Sequence, residues 1–300
     1  ELKEMRIKKA ILIRKTIEAY SSALENEDDP VERSRIQQKI ADSYYELGLA
    51  DQKETKSNLK RAIKSYQEAL KVRTLEQFPM DYAMTQNNLG TAYRALAEVE
   101  DKADNSKKAI NAYRKALRVS TLEQFPLDYA TTQNNLGAAY RKLAEVEDKA
   151  DNSKKAINSY REALRVSTLE QFPMDYARTQ NNLGNAYVTL AEVEGKADNS
   201  KKAITSFQEA LRVRVLEQFP MDYAMTKNNI GAAYVTLAEV EDKADNSKKA
   251  INAFQEALRV RTLEQFPMDY AMTQNNLGAA YRTLAEVEDK ADNSKKAINA

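Results

Sequence analysis

The stretch "MDYAMTQNNLGTAYRALAEVEDKADNSKKAINAYRKALRVSTLEQFP" runs from Met80 to Pro126, and the chain then repeats it almost letter for letter. The marker "LEQF" begins at Leu75, Leu122, Leu169, Leu216 and Leu263, so each step is 47 residues. Inside the unit, Leu89, Ala92, Tyr93 and Leu96 recur at three- and four-residue spacing, which makes one face of a helix apolar. Ala109, Ile110, Tyr113, Ala116 and Leu117 do the same for a second helix. "ADNS" (103–106) offers Asp and Asn oxygens to cap the start of that second helix. The "FP" pair ends the unit and places proline in the first turn of the next helix. No alternation suggests a strand. The period predicts helical hairpins, with first helices over 80–100 and second helices over 105–121, repeated at the same offsets. One hairpin cannot bury both of its faces, so stacked neighbours complete the core.

The same unit is visible in altered form toward both ends. "RKTIEAYSSAL" (14–24) follows the pattern of "KKAINAYRKAL" (107–117), and "IADSYYELGLA" (40–50) reads as a diverged first helix. This partitions the chain into a second helix over 1–28 and a diverged repeat over 31–74. Full repeats follow over 75–121, 122–168, 169–215 and 216–262, then a truncated one over 263–300, all in one continuous solenoid. Neither end reads as a polar cap, so a fragment of a longer array is expected.

Composition removes several kinds of chemistry. The chain has 300 residues with no cysteine, histidine or tryptophan. Thiolate catalysis, the usual zinc ligands and the commonest general base are therefore excluded. No cofactor or metal site is expected, and every acid recurs too often to form a single catalytic centre, so the reading is of a protein that is not an enzyme. Lys and Arg number 46 against 45 Asp and Glu. That balance argues against a dedicated nucleic-acid binder. No apolar run is long enough to span a membrane, and the expectation is a soluble, cytoplasmic protein.

The motif "NNLGTAYRALAE…KKAINAYRKAL" resembles the tetratricopeptide repeat on Leu89-Gly90, Tyr93, Ala109, Tyr113 and Ala116, which recur through the chain. Gly90 suits close approach of the two helices. The aromatic usual before Leu-Gly is replaced by Gln86, Gln133, Gln180, Lys227 and Gln274. The period exceeds the roughly 34 residues typical of the family, and "PMDYAMTQNNL" is similar to the long repeats of kinesin light chains. The resemblance implies an all-α, right-handed superhelical solenoid of antiparallel helix pairs. It also implies that the first helices line a concave groove that binds extended peptides, partly through repeated asparagines.

The units differ from one another in few places. On the first helix the changing columns are Met84, Thr131, Arg178, Met225, Met272; then Thr91, Ala138, Asn185, Ala232, Ala279; then Arg94, Arg141, Val188, Val235, Arg282; and Ala95, Lys142, Thr189, Thr236, Thr283. Two asparagine rows never change: Asn87, Asn134, Asn181, Asn228, Asn275 and Asn88, Asn135, Asn182, Asn229, Asn276. Asn87, Thr91 and Arg94 share one helix face. Amides carry donors and an acceptor and can hold a peptide backbone whatever its sequence. The charged members of the changing columns are Arg94, Arg141, Lys142, Arg178 and Arg282, all positive, so the expected ligand is an acidic peptide or protein segment. A bland account stands beside this one: recent duplication leaves exposed positions to drift, and the asparagines bond across repeats as a structural row. Two other functions stay open, a self-associating array stacked end to end and a nucleic-acid-binding helical repeat. "EDKADNSKK" reads as a solvated loop, and Phe78 and Tyr82 as packing residues.

Overall fold

A computed structural model describes residues 2–299, with side chains from Met5 onward. These residues form thirteen helices and no strand among the described residues. They are α1 Leu2–Glu25, α2 Pro30–Ala50, α3 Thr55–Ala69, α4 Pro79–Leu96, α5 Lys102–Ala116, α6 Pro126–Ala144, α7 Lys149–Leu164, α8 Pro173–Ala191, α9 Lys196–Leu211, α10 Pro220–Ala238, α11 Lys243–Leu258, α12 Pro267–Ala285 and α13 Lys290–Asn299. The result is an all-helical, paired-repeat solenoid with a period of roughly 47 residues.

The chain divides into two compact units, residues 1–148 and 149–300. Within the first, α2 pairs with α3 and α4 with α5; within the second, α8 pairs with α9, α10 with α11 and α12 with α13. Successive first helices also touch, α2 on α4 and α4 on α6 in one unit, α8 on α10 and α10 on α12 in the other. Among the described residues no such contact joins α3 to α5 or α9 to α11. In each unit the first helices are therefore the crowded side of the stack.

The apolar stripes explain the pairing. Leu89, Ala92 and Leu96 of α4 are buried with Leu59, Ala62, Ile63 and Tyr66 of α3 and Ala112 of α5. In the second unit Ala250, Ile251 and Phe254 pack with Leu277, Ala280 and Leu284. A large ring at the centre of each second helix fills the hairpin: Tyr66 is nearly and Tyr113, Phe207 and Phe254 wholly buried. The glycine opposite is required by that ring. A Cβ on Gly90 would lie 2.7 Å from Tyr113, and on Gly184 2.5 Å from Phe207. Tyr82 and Phe125 pack around Ala83, Ala116 and Val119, as packing residues should.

The helix boundaries differ from the sequence reading. The first helix ends three or four residues sooner, at Leu96 in α4, and the second runs over Lys102–Ala116 in α5 rather than over 105–121. The turn between them uses a left-handed residue, Asp101 at φ 38°, Asp148 and Asp242 at 41° and Asp289 at 42°, with Gly195 at 55° in the remaining copy. Short polar side chains and glycine are those that tolerate this region. Asp101 accepts from the Asp104 amide at 3.2 Å. The asparagine of "ADNS" does not cap the helix from outside. Asn105 lies in the first turn and donates back to the Glu100 carbonyl at 2.6 Å, and Asn199, Asn246 and Asn293 do the same to Glu194, Glu241 and Glu288.

The charged loop is more than solvated. Lysines at the start of each second helix reach glutamates of the next repeat: Lys102 to Glu145 (2.8 Å), Lys149 to Glu192 (2.7 Å), Lys196 to Glu239 (2.7 Å) and Lys243 to Glu286 (2.8 Å). A second rung joins Lys107 to Glu147 (2.7 Å), Lys201 to Glu241 (2.7 Å) and Lys248 to Glu288 (2.7 Å). Each exposed pair contributes little alone, about 0–1 kcal/mol, but the rungs recur. Hydrogen bonding to Lys60 holds the Glu100 carboxyl below its ordinary value of 4.5, and Lys243 does so for Glu286. A native carboxyl depressed below its unfolded value adds stability that is complete above the unfolded value and is lost as pH falls through the native one. Melting temperature is thus expected to hold steady above about pH 5 and to fall below it. Changing Lys60 and Lys243, the partners of the two shifted carboxyls, to Gln should flatten that fall, and an identical acid profile in this variant would contradict the ladder.

Candidate peptide-binding face

The two asparagine rows sit at the seam between successive first helices. Asn135 Nδ2 donates to Asn87 Oδ1 at 3.3 Å, Asn229 Nδ2 to Asn181 Oδ1 at 3.4 Å and Asn276 Nδ2 to Asn228 Oδ1 at 3.2 Å. Asn181 Oδ1 also accepts from Thr226 Oγ1 at 3.3 Å. Asn88, in the first full repeat, donates to Asp42 of the diverged one at 3.3 Å. Asn134, Asn181 and Asn228 are 6 %, 4 % and 6 % exposed. Asn87 and Asn182 are half-buried, and Asn275 alone of its row is exposed.

This corrects the expected orientation. Side chains expected to point into an open groove are, at Asn134, Asn181 and Asn228, covered. At Asn87, Asn181 and Asn228 the amide is bonded to the neighbouring repeat. The physical reason is the satisfaction of buried polar groups: an amide covered by the next helix must find its partner there. One row accepts and the other donates, which fixes the register of one repeat on the next.

The cationic positions are also partly engaged. Lys142 pairs with Glu98 at 3.0 Å and Glu145 at 3.0 Å, and Arg141 lies 3.7 Å from Glu145. Arg178 pairs with Asp175 at 2.7 Å yet stays half exposed. Arg94 is half-buried and hydrogen-bonded to Tyr113, which Thr91 also meets at 3.1 Å. Arg282 is exposed and lines, with Asn275, Gln274, Tyr270, Gly278 and Ile298, a cleft of about 780 Å³ between α12 and α13. The column that faces solvent most openly is Met84, Thr131, Arg178 and Met272, with Met225 half-buried. No group of three or more acidic, His or Cys side chains could hold a metal ion among the described residues. No helix described is long and apolar enough to cross a membrane.

One set of polar residues was missed in the sequence reading. Arg73, Arg214 and Arg261, in the turns that follow second helices, are buried and donate to the Thr85, Thr226 and Thr273 hydroxyls at 3.2, 3.2 and 2.9 Å. The signal was present: the same column reads Arg73, Ser120, Ser167, Arg214, Arg261, a change of size and charge in otherwise copied units.

The fold and its seam define a class, the helical-hairpin repeat scaffold. A tetratricopeptide-repeat family model matches residues 130–165. The 47-residue period carries the matched unit along the chain, whose repeats are similar to the tetratricopeptide repeat. Among solved structures, the C-terminal part of a TPR repeat-containing protein from Cytophaga hutchinsonii aligns over 99 % of this chain and 97 % of its own at 14 % identity and TM-score 0.56. BtubC, the bacterial kinesin light chain from P. vanneervenii, aligns over 82 % of this chain and 89 % of its own at 20 % identity and TM-score 0.53. Among curated protein sequences none matches. At these identities the likeness is one of fold.

Proposed function

We propose that the chain is a non-catalytic protein-interaction scaffold that holds extended peptide segments along the first-helix side of its repeats. The observation that carries this reading is the partition of that helix. The seam residues Asn87 and Asn88 and their copies are invariant, and Asn135 bonds to Asn87, Asn229 to Asn181 and Asn276 to Asn228, whereas the neighbouring open column changes from Met84 to Thr131 to Arg178. A fixed frame with changeable outward positions suits recognition of different side chains by successive repeats. Packed helices lie ~8–10 Å apart, so one repeat spans about three residues of an extended peptide. Arg178 and Arg282 in one unit, and Arg94, Arg141 and Lys142 in the other, favour an acidic segment. Their existing ion pairs make that preference moderate. Asn87, half-buried, keeps an edge from which its amide can bond a peptide backbone.

Panning a random peptide library against the full chain tests this. Retained peptides are expected to be enriched in Asp and Glu. Their affinity should fall with added salt, because exposed charges are screened over about 8–10 Å at physiological ionic strength. Changing Arg178 and Arg282 to Gln should weaken binding several-fold. Failure to enrich any peptide, together with sedimentation that shows association growing with concentration, would instead favour a self-associating array.

A further inference from the structure

Three of the five copies of one inter-repeat slot are filled by the chain's own guanidinium. Arg73 reaches between α2 and α4, donating to Ser34 and Gln38 on one side and Thr85 on the other, with Asp81 at 4.0 Å. Arg214 has Thr226 and, at 3.5 Å, Asp222; Arg261 has Thr273 and, at 3.4 Å, Asp269. The recurring receptor is a threonine hydroxyl and the aspartate one turn before it on the following first helix.

Ser120 stands where those arginines stand, and the slot is not closed by the change. A cavity of about 200 Å³ opens there, lined by Ser120, Asp81, Met84, Asp128, Thr131 and Thr132. That compares with roughly 30 Å³ for one water in the liquid. Asp128 and Thr132 are the copies of the aspartate and threonine that receive Arg73 in the preceding repeat. Both polar groups are left over. Ser120 and Thr132 are 3 % and 2 % exposed, and among the described residues neither hydroxyl has a hydrogen-bond partner. Asp128 makes no ion pair among the described residues, whereas Asp81, Asp222 and Asp269 each face an arginine. In the other serine-bearing copy, after Ser167, the matching carboxylate is already taken: Asp175 pairs with Arg178. The half-exposed Met80 and Met84 stand at the mouth, and flexible thioether side chains suit the aliphatic stem of an incoming residue.

We propose that the slot beside Ser120 is a binding site for a guanidinium side chain, an arginine supplied in trans by a partner peptide or protein. It would occupy the place that Arg73, Arg214 and Arg261 occupy in cis. Its planar fork would donate to the Asp128 carboxylate and the Thr132 hydroxyl, with the Ser120 hydroxyl at the base. This site asks for a basic residue, so it is separate from the acidic preference argued above and does not depend on it.

The test titrates the full chain with acetyl-Gly-Arg-Gly-amide and acetyl-Gly-Gln-Gly-amide, following backbone amide shifts by NMR. The arginine probe is expected to give saturable shifts centred on Met84, Ser120, Thr131 and Thr132, at least fivefold tighter than the glutamine probe. Asp128→Asn, a change at an exposed carboxylate, should weaken the arginine probe by a similar factor with the spectrum otherwise retained. Ser120→Arg, which supplies the guanidinium from within, should abolish those shifts. Equal response to both probes, shifts scattered over the acidic surface, or undiminished binding in either variant would overturn the proposal.

Discussion

Replacing Phe207 with Ala is expected to cost about 3–5 kcal/mol, the range for truncating a buried aromatic ring. The ring is wholly buried and rests against Gly184, where no side chain stands. Removing it leaves a hole bounded on one side by a residue that cannot fill it, so little relaxation offsets the loss. The reciprocal change, Gly184→Ala, attacks the same contact from the other side. The new methyl would lie 2.5 Å from the ring, and overpacking of this kind costs about 1–3 kcal/mol. That outweighs or cancels the roughly 1 kcal/mol that Ala gains over Gly in a helix. Phe207→Tyr should be tolerated far better, since tyrosine fills the same place at Tyr113 with its hydroxyl 3.1 Å from Thr91. Each repeat contacts only its neighbours, so the damage should be local. Hydrogen exchange is the suitable measure: amides of α8 and α9 should lose protection first. A Phe207→Ala chain with unchanged protection there would contradict the packing described.

The second large effect concerns the seam. Changing Asn181 or Asn228 to Ala should cost about 1–3 kcal/mol each, because the lost bond leaves the facing amide, Asn229 or Asn276, without its acceptor. Adjacent sites couple, so the double variant need not show the sum. Asn275→Ala is the internal control. It has the same residue type in the same local sequence but is exposed, and exposed substitutions usually fall within about ±0.5 kcal/mol. Denaturation that ranks Asn275→Ala alongside Asn181→Ala would remove the structural role assigned to the row.

Much of the fold was legible because the chain is its own alignment. Leu89, Ala92 and Leu96 lie at helical spacing in every copy and are buried as that spacing requires. The helix starts were less legible, because the turn depends on a left-handed Asp101 and nothing in an Asp codes for that sign of φ unless the loop length demands it. The asparagines show the limit most plainly. A helical wheel places Asn87 on a face with Thr91 and Arg94 but does not say how far the next helix reaches over that face. Groove and seam are adjacent on the wheel, and burial decided between them. The lysine–glutamate rungs join residues 43 or 40 apart, a spacing that belongs to the repeat and not to either helix, so a reading of one loop at a time overlooked them. The arginine column at 73, 214 and 261 was visible in the copies, but its meaning needed the cavity beside Ser120.

The central claim is that ligands lie along the first helices, over a frame held by the asparagine seam. Hydrogen exchange of the full chain with and without a library-selected peptide tests it most directly. The account predicts added protection on the open edges of α4, α6, α8, α10 and α12, around Met84, Thr131, Arg178, Met225 and Met272, with the outer faces of α5, α7, α9 and α11 unchanged. Protection confined to those second helices, around exposed residues such as Asn111, Asn158 and Asn252, would contradict it.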